Sequence, residues 1–416
     1  MKHLIVAAAG LGWKEAKKIP APPGLEFKPA ESVFPAVTCT AQAAFRTASG
    51  TGRHGMICNG IFSRSLHRAL FWEQSSDLVE GERIWERARA DGKRIAMFFW
   101  QQSLGEKCDI LLSPAPIHKH GGGIISGCHS IPSNLDAALA KKNGAFPLHR
   151  YWGPLASPSI GNDIVAHTIE AVEKTDPDIV FTYLPTLDYD LQRFGPDDPR
   201  CARSFGLAGQ QLAKLAAFAE KHGAHLTVFG DYAIAPADAG AVYPNRTLRA
   251  HDMLSIRTLK GRAYADLHHS RAFAMADHEI AHVFVRDSRD ITTVHDILSA
   301  SGDYGSVEIK TGASPWGHAN AGEILLTAKN GAWCHYPWWT ANSEAPDYAT
   351  HVDIHSKPGF DPCELFFGSI LPPRTCQDAS RIGGTHGRNR PVAWASTAFD
   401  TADSIVEIAR QTAHRL

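Results

Sequence analysis

Four uninterrupted apolar runs constrain the fold of this chain more than any other feature: LIVAAA at 4–9, RIAMFFW at 94–100, DIVFTYL at 178–184 and HLTVFG at 225–230. Continuous runs, as opposed to alternating ones, mark strands covered on both faces. Between them, EGERIWERARA at 80–90 and RSFGLAGQQLAKLAAFAEKH at 203–222 carry apolar side chains at three- and four-residue spacing, and the second stops before Gly223, a helix stop signal. From Thr38, TCTAQAAFRT reads as a further helix, because Pro35 breaks whatever precedes it. Strands alternating with helices predict an α/β chain with a mainly parallel, doubly wound sheet.

No repeat or low-complexity linker divides the 416 residues, so a single domain spanning 1–416 is expected, with two elaborations. Residues 104–165, with HKHGGGIISG and several Pro and Gly turns, read as a loop-rich excursion over one sheet edge. Residues 300–380, around AWCHYPWW and a Pro-rich stretch, read as β-hairpins and a covering flap. The cluster of Trp333, Tyr336, Trp338 and Trp339 there reads as packing in preference to a ligand pocket. Forty-two basic side chains offset 43 acidic ones to a net charge of -1, which encodes no attraction for a nucleic-acid polymer. HLIVAAAGLGW is about half the ~20 residues a membrane-spanning helix needs, so it reads as the first buried strand. Eight cysteines without a CxxC pair suggest neither a disulfide framework nor a zinc ribbon, and the expected location is the cytoplasm. The unusual count is 22 histidines, the commonest metal-ligand side chain.

Working side chains of open α/β sheets sit just beyond the carboxyl ends of strands. Asp188 and Asp190 follow the third run and Asp231 follows the fourth. Carboxylates on neighbouring strand ends repel unless a cation lies between them, whereas singly each reads equally as a cap. Thr38 at a helix start lies where the dipole favours an alkoxide or a phosphoryl oxygen, although threonine is also an ordinary N-cap. Asp277, His278 and His282 follow in ADHEIAHV, which reads as a helix with ligands at four-residue spacing or, more closely, as a strand with both imidazoles on one sheet face. His351, Asp353, His355 and Asp361 come later, and His386 lies in a Gly-flanked GTHG turn open to close backbone approach. Arg193, Arg388 and Arg390 read either as forks for phosphate or as surface ion pairs.

In this order FPAVTCTAQA, HGMICNG, YLPTLDYDLQRFGP, a strand ending in Asp231, and the THG turn resemble the type I phosphodiesterase/nucleotide pyrophosphatase branch of the alkaline phosphatase superfamily. The likeness runs over residues 3–390. It implies an alkaline-phosphatase-like α/β/α sandwich and a two-metal hydrolase, usually with zinc, whose Thr or Ser alkoxide attacks phosphorus. Carried over residue by residue, Thr38 matches the nucleophile, Asp188 and Asp231 the acidic ligands of the two ions, and His386 the late histidine. Three ligand positions depart from the pattern: Ala9 stands for the Asp that ends the first strand, Gln192 for a His, and Tyr232 for another His. The Asn expected three residues after the nucleophile is Ala41, with Gln42 beside it.

The resemblance therefore leaves three readings. Asp277, His278, His282, Asp353 or His355 rebuild the centre; or one ion is held by Asp188, His386 and His355; or the fold binds a ligand without turnover. The expected cofactor is a divalent metal, zinc first, with manganese or calcium as alternatives. Gln192, Tyr232, Arg193 and Gln42 are the side chains expected to face substrate. The expected activity is hydrolysis of a phosphodiester, pyrophosphate or phosphonate-like small molecule. Hydrolysis or lysis of a non-phosphate molecule is the alternative. No membrane or nucleic-acid partner is expected, and oligomeric state is left open.

Overall fold

A computed structural model describes residues 1–120 and 124–416. Eight strands form the central sheet, in the order Lys28–Ala30, Val392–Ser396, His225–Gly230, His3–Ala8, Ile179–Leu184, Ile95–Phe98, Ile110–Pro114 and Cys128–Ile131. The five from His225–Gly230 through Ile110–Pro114 run parallel, and the pairings outside them are antiparallel. All six residues of Ile179–Leu184 are buried, as a strand covered on both faces demands. Each expected apolar run supplies one of these parallel strands. Helices Ile160–Thr175 and Ala202–Lys221 pack together, as do Thr38–Thr47 and Ile405–Ala413. Phe45 of the third of these helices stacks on Phe229 of the sheet at 4.2 Å. The architecture is the mixed α/β, mostly parallel one expected.

Three local expectations are corrected. Only Glu86–Ala90 of the 80–90 stretch is helical. Arg83 is instead buried against Glu106 and Ser76, and Trp85 is fully buried, so tertiary contacts claim the first half. The 104–165 excursion contributes two strands, Ile110–Pro114 and Cys128–Ile131, to the sheet itself; glycines 121–123 within it lie outside the described residues. ADHEIAHV is neither one helix nor one strand. Ala272–Asp277 and Ile280–Val285 form a hairpin, with His278 in its turn at φ 58°.

That hairpin begins a second, four-stranded antiparallel sheet, completed by Ile324–Ala328 and Tyr304–Ile309. It has its own apolar core, in which Tyr336, Trp338 and Trp339 are buried, while Trp333 packs with the main core. These aromatic residues are packing, as expected. The segment from 340 to 376 folds back as short turns and a small hairpin, Phe367–Ser369 with Arg374–Thr375. No described helix is long and apolar enough to cross a membrane.

Candidate active site

Three neighbouring parallel strands end together, with Ala8 in register with Leu184 and Gly230. Their next residues converge. Asp188 opens the short helix Asp188–Phe194, and Asp231 follows Gly230 directly. Gly10, at φ +67°, turns its N–H to Asp231 Oδ1 at 3.1 Å, and Tyr232 N–H donates to the same oxygen at 2.9 Å. Asp231 Oδ2 is buried without a hydrogen-bond partner.

Thr38 is the first residue of the helix Thr38–Thr47, and Val37 is its N-cap. The Thr38 hydroxyl is therefore not spent on capping. It interacts instead with the phenols of Tyr183 and Tyr232. The Tyr232 hydroxyl donates to Asp188 Oδ1 at 2.7 Å, and Gln192 Nε2 donates to that oxygen at the same distance.

The Tyr232 ring stacks on His386, His386 on His278, and His278 on Phe360, with centroids 3.6, 3.6 and 3.8 Å apart. His386 Nδ1–H donates to Ala36 O at 2.8 Å. Gly387, at φ +129°, is required here because a Cβ would come within 3.1 Å of Glu279 N. His278 Nδ1 bonds Asp277 Oδ1 at 2.7 Å, and its Nε2 is buried without a partner. Asp277 is held in turn by Asn59 N–H at 2.7 Å and Asn59 Nδ2 at 3.2 Å, while Asn59 Oδ1 accepts from Cys39 N–H at 3.0 Å.

Burial dominates the electrostatics. It raises the Asp188 carboxyl to about 6, against which the hydrogen bonds from Gln192 and Tyr232 work. It raises Asp231 well above the usual carboxylate range, reinforced by the Asp188 charge, and Asp277 to about 6. Burial pushes His278 and His386 well below the usual imidazole range, so both rings are neutral.

Thr38, Asp188, Gln192, Tyr232, His278, His355 and His386 line one cavity of about 480 Å³. Asp231 and Asp277 do not line it; each is hydrogen-bonded to a residue next to it in sequence that does, Tyr232 and His278. His282 lies in the second sheet, with Nε2 on Ile57 O at 3.2 Å, and is not on the cavity wall. Gln42 accepts from Gln101 N–H at 2.8 Å and Arg193 pairs with Asp190 at 3.2 Å, so neither faces the cavity. Arg388 and Arg390 are spent on Asn330 and Glu279.

Tyr183 and Asn59 were not anticipated. Tyr183 is masked in sequence by the apolar run that contains it. Asn59 was signalled only by the Asn-Gly pair of HGMICNG, and its Oδ1 accepts from Cys39 N–H at the start of the helix Thr38–Thr47. The rest of the wall is mainly aromatic and aliphatic, including Trp72, Trp100, Trp152 and Phe360, with the segment 350–355 and Phe367 closing one side.

The resemblance implies a two-ion centre, which needs several electron-pair donors converging on each ion. Among the described residues, the one group of three or more His, Cys, Asp or Glu side chains able to share an ion lies elsewhere, at His335, Asp361 and Cys363. At the cavity, Tyr232 and Gln192 both donate to Asp188, and Gly10 and Tyr232 N–H groups take Asp231 Oδ1. The electron-pair donors left buried and unpartnered beside them, Asp231 Oδ2 and His278 Nε2, are too few to hold two ions. The residues do not fit a two-ion centre.

Comparison with known proteins supplies the family. The model of type I phosphodiesterase / nucleotide pyrophosphatase matches residues 23–361. No curated protein matches the chain in sequence. Among solved structures, murine ectonucleotide pyrophosphatase/phosphodiesterase 5 is similar with a TM-score of 0.62 at 15% identity, covering 100% of this chain and 95% of that one. An inactive form of the murine protein in complex with AMP matches equally well, at 15% identity, TM-score 0.62 and coverage of 100% and 94%. Phosphonoacetate hydrolase from Sinorhizobium meliloti 1021, in complex with phosphonoformate, has a TM-score of 0.62 at 14% identity, covering 99% and 95%. At such identities these structures establish the fold alone. With more than half its length matched, the chain belongs to the type I phosphodiesterase/nucleotide pyrophosphatase family of hydrolytic enzymes, within the alkaline phosphatase superfamily.

Proposed function

We propose that this chain hydrolyses a phosphoester or phosphonate-like small molecule with the Thr38 hydroxyl as nucleophile. One observation carries the reading: Thr38 lines the cavity, uncommitted to capping, beside a phenol that is hydrogen-bonded to a buried carboxyl. The AMP and phosphonoformate complexes of the similar structures support the phosphoryl or phosphonyl class. The cavity volume of about 480 Å³ suits a small molecule, and its aromatic walls suit an apolar or aryl leaving group.

Members of this family are typically divalent-metal dependent. Because the donors here do not fit two ions, zinc included, the proposed chemistry uses the chain's own groups. The Thr38 proton moves to the Tyr232 oxygen as the phenolic proton moves to Asp188 Oδ1, so the base is a carboxylate whose burial has raised its basicity. Thr38 Oγ1 then bonds to phosphorus while the bond from phosphorus to the leaving oxygen breaks. The proton held by Asp188 returns through the phenol to that oxygen. Water completes the cycle by cleaving the Thr38–phosphorus link with the same relay. The positive end of the helix Thr38–Thr47 offsets the charge on the transferred group.

The scarcity of cationic side chains on the wall favours a second reading, the same Thr38 chemistry on an uncharged ester. Turnover of an aryl phosphodiester, an aryl carboxylic ester and a nucleotide, measured for wild type and Thr38→Ala with and without chelator, tests both. Full turnover by Thr38→Ala removes the nucleophile; carboxylic-ester turnover without phosphorus–oxygen cleavage selects the second reading.

A further inference from the structure

Outside the Thr38 cavity, the side chains of His335, Asp361 and Cys363 meet in the protein interior. One potential ligand atom from each lies within 4.8 Å of the other two. All three residues are buried, at 4, 7 and 1% exposure. Neither ring nitrogen of His335 has a hydrogen-bond partner, a costly state for a buried imidazole. His335 Nε2 stands 3.5 Å from Asp361 Oδ1. That is long for a hydrogen bond, but it matches the ~3.3 Å edge between two ligands each about 2.0 Å from a tetrahedral ion.

The charges point the same way. The Lys357 ammonium lies 2.8 Å from Asp361 Oδ2 and 2.6 Å from Glu364 Oε1, and all three groups are buried. With both carboxyls ionised, one cation leaves one negative charge in excess, which is unfavourable in a protein interior. A divalent ion taken up with an ionised Cys363 would cancel it. Lys357 takes Oδ2 of Asp361, while Oδ1 faces His335 and accepts from the Cys363 N–H at 3.0 Å, which leaves its second lone pair for an ion. Arg246 approaches across Tyr243, on whose ring its guanidinium is stacked at 3.6 Å.

We propose that His335, Asp361 and Cys363 form a structural site for a divalent cation of the zinc class. An imidazole, a carboxylate and a thiolate are a borderline-soft donor set that suits zinc better than magnesium or calcium. Binding transfers the Cys363 thiol proton to solvent, and water completes the coordination. The ion ties the chain just after the strand Ala332–Cys334 to the segment that walls the cavity. Phe360, next to Asp361 in sequence, is the last ring of the column that reaches His278, so the ion fixes one end of that column. The site is independent of any reading of Thr38.

The test uses the full chain, freed of metal by chelator under reducing conditions and titrated with zinc and with cobalt. The expected result is one ion per chain, a thiolate-to-cobalt absorption band in the near ultraviolet, and a higher melting temperature with zinc. Cys363→Ser and His335→Gln should weaken binding about tenfold or more, while Thr38→Ala and Asp188→Asn leave it unchanged. A cobalt complex without the thiolate band, or wild-type binding by Cys363→Ser, overturns the proposal. If those variants do not fold, wild-type protein is alkylated in partial denaturant with and without zinc and the modified cysteines are read by mass spectrometry. Zinc should protect Cys363 and not Cys108; equal labelling of Cys363 in both conditions overturns the site.

Discussion

The phenol of Tyr232 lies flat on the imidazole of His386, with centroids 3.6 Å apart and planes 4° apart, and its hydroxyl reaches on to Asp188 Oδ1 at 2.7 Å. Where the family pattern implies a metal-binding histidine, this chain has a side chain that stacks and donates. Tyr232→Phe keeps the ring on His386 and removes only the donor. Turnover is expected to fall by ~10²-fold with KM little changed, the size of a lost acid–base relay. Undiminished kcat in this variant would remove Tyr232 from the proposed proton path.

Thr38→Ala separates the nucleophile from a structural threonine. Because Val37 is the N-cap, the variant should lose less stability than the ~1 kcal/mol of a deleted cap while losing nearly all turnover. Denaturant unfolding beside steady-state kinetics checks it; a large loss of stability would make Thr38 a packing residue.

Asp188 gives a pH prediction with a definite sign. Its carboxyl is raised to about 6 in the fold by burial, against an ordinary value of 3.8. The folded state thus favours the protonated form, and that contribution is complete below about pH 4 and lost as pH rises through about 6. Asp188→Asn has no such loss, so above pH 6 it should be more stable than wild type by up to about 3 kcal/mol, while inactive. Melting curves from pH 4 to 8 read the difference. A variant less stable than wild type at pH 8 would mean that a cation holds Asp188 ionised.

Restoring the missing donors should create the centre that wild type lacks. In a His335→Gln background, which silences the other candidate site, Ala9→Asp, Gln192→His and Tyr232→His together should gain zinc binding at the cavity. Calorimetric titration of this variant against the background alone measures the gain. Equal zinc binding by the background would show that the present donors already suffice.

The parallel strands and the helix start at Thr38 were legible because each is written in a short window: a run of apolar residues, or a proline ahead of small hydroxyl residues. Asp188 and Asp231 followed from the rule that strand ends converge. The hairpin at His278 was not legible, because both of its strands are largely apolar and its turn residues, His278 and Glu279, are not usual turn formers. Gln42 and Arg193 were chosen by proximity in sequence to better candidates, and neighbouring residues on a helix face different ways; His282 was chosen for its four-residue spacing from His278, which the turn at His278 breaks.

What the sequence determined by itself is the sheet, its order of loops and the substitution of three expected ligands, since composition and periodicity act over a few residues. Only the tertiary structure decided what those substitutions do. The Gly10–Asp231 bond, the column from Tyr232 to Phe360 and the meeting of His335 with Asp361 each join residues far apart in the chain. The free energy that selects such contacts comes from burying them together, a quantity no local stretch of sequence contains.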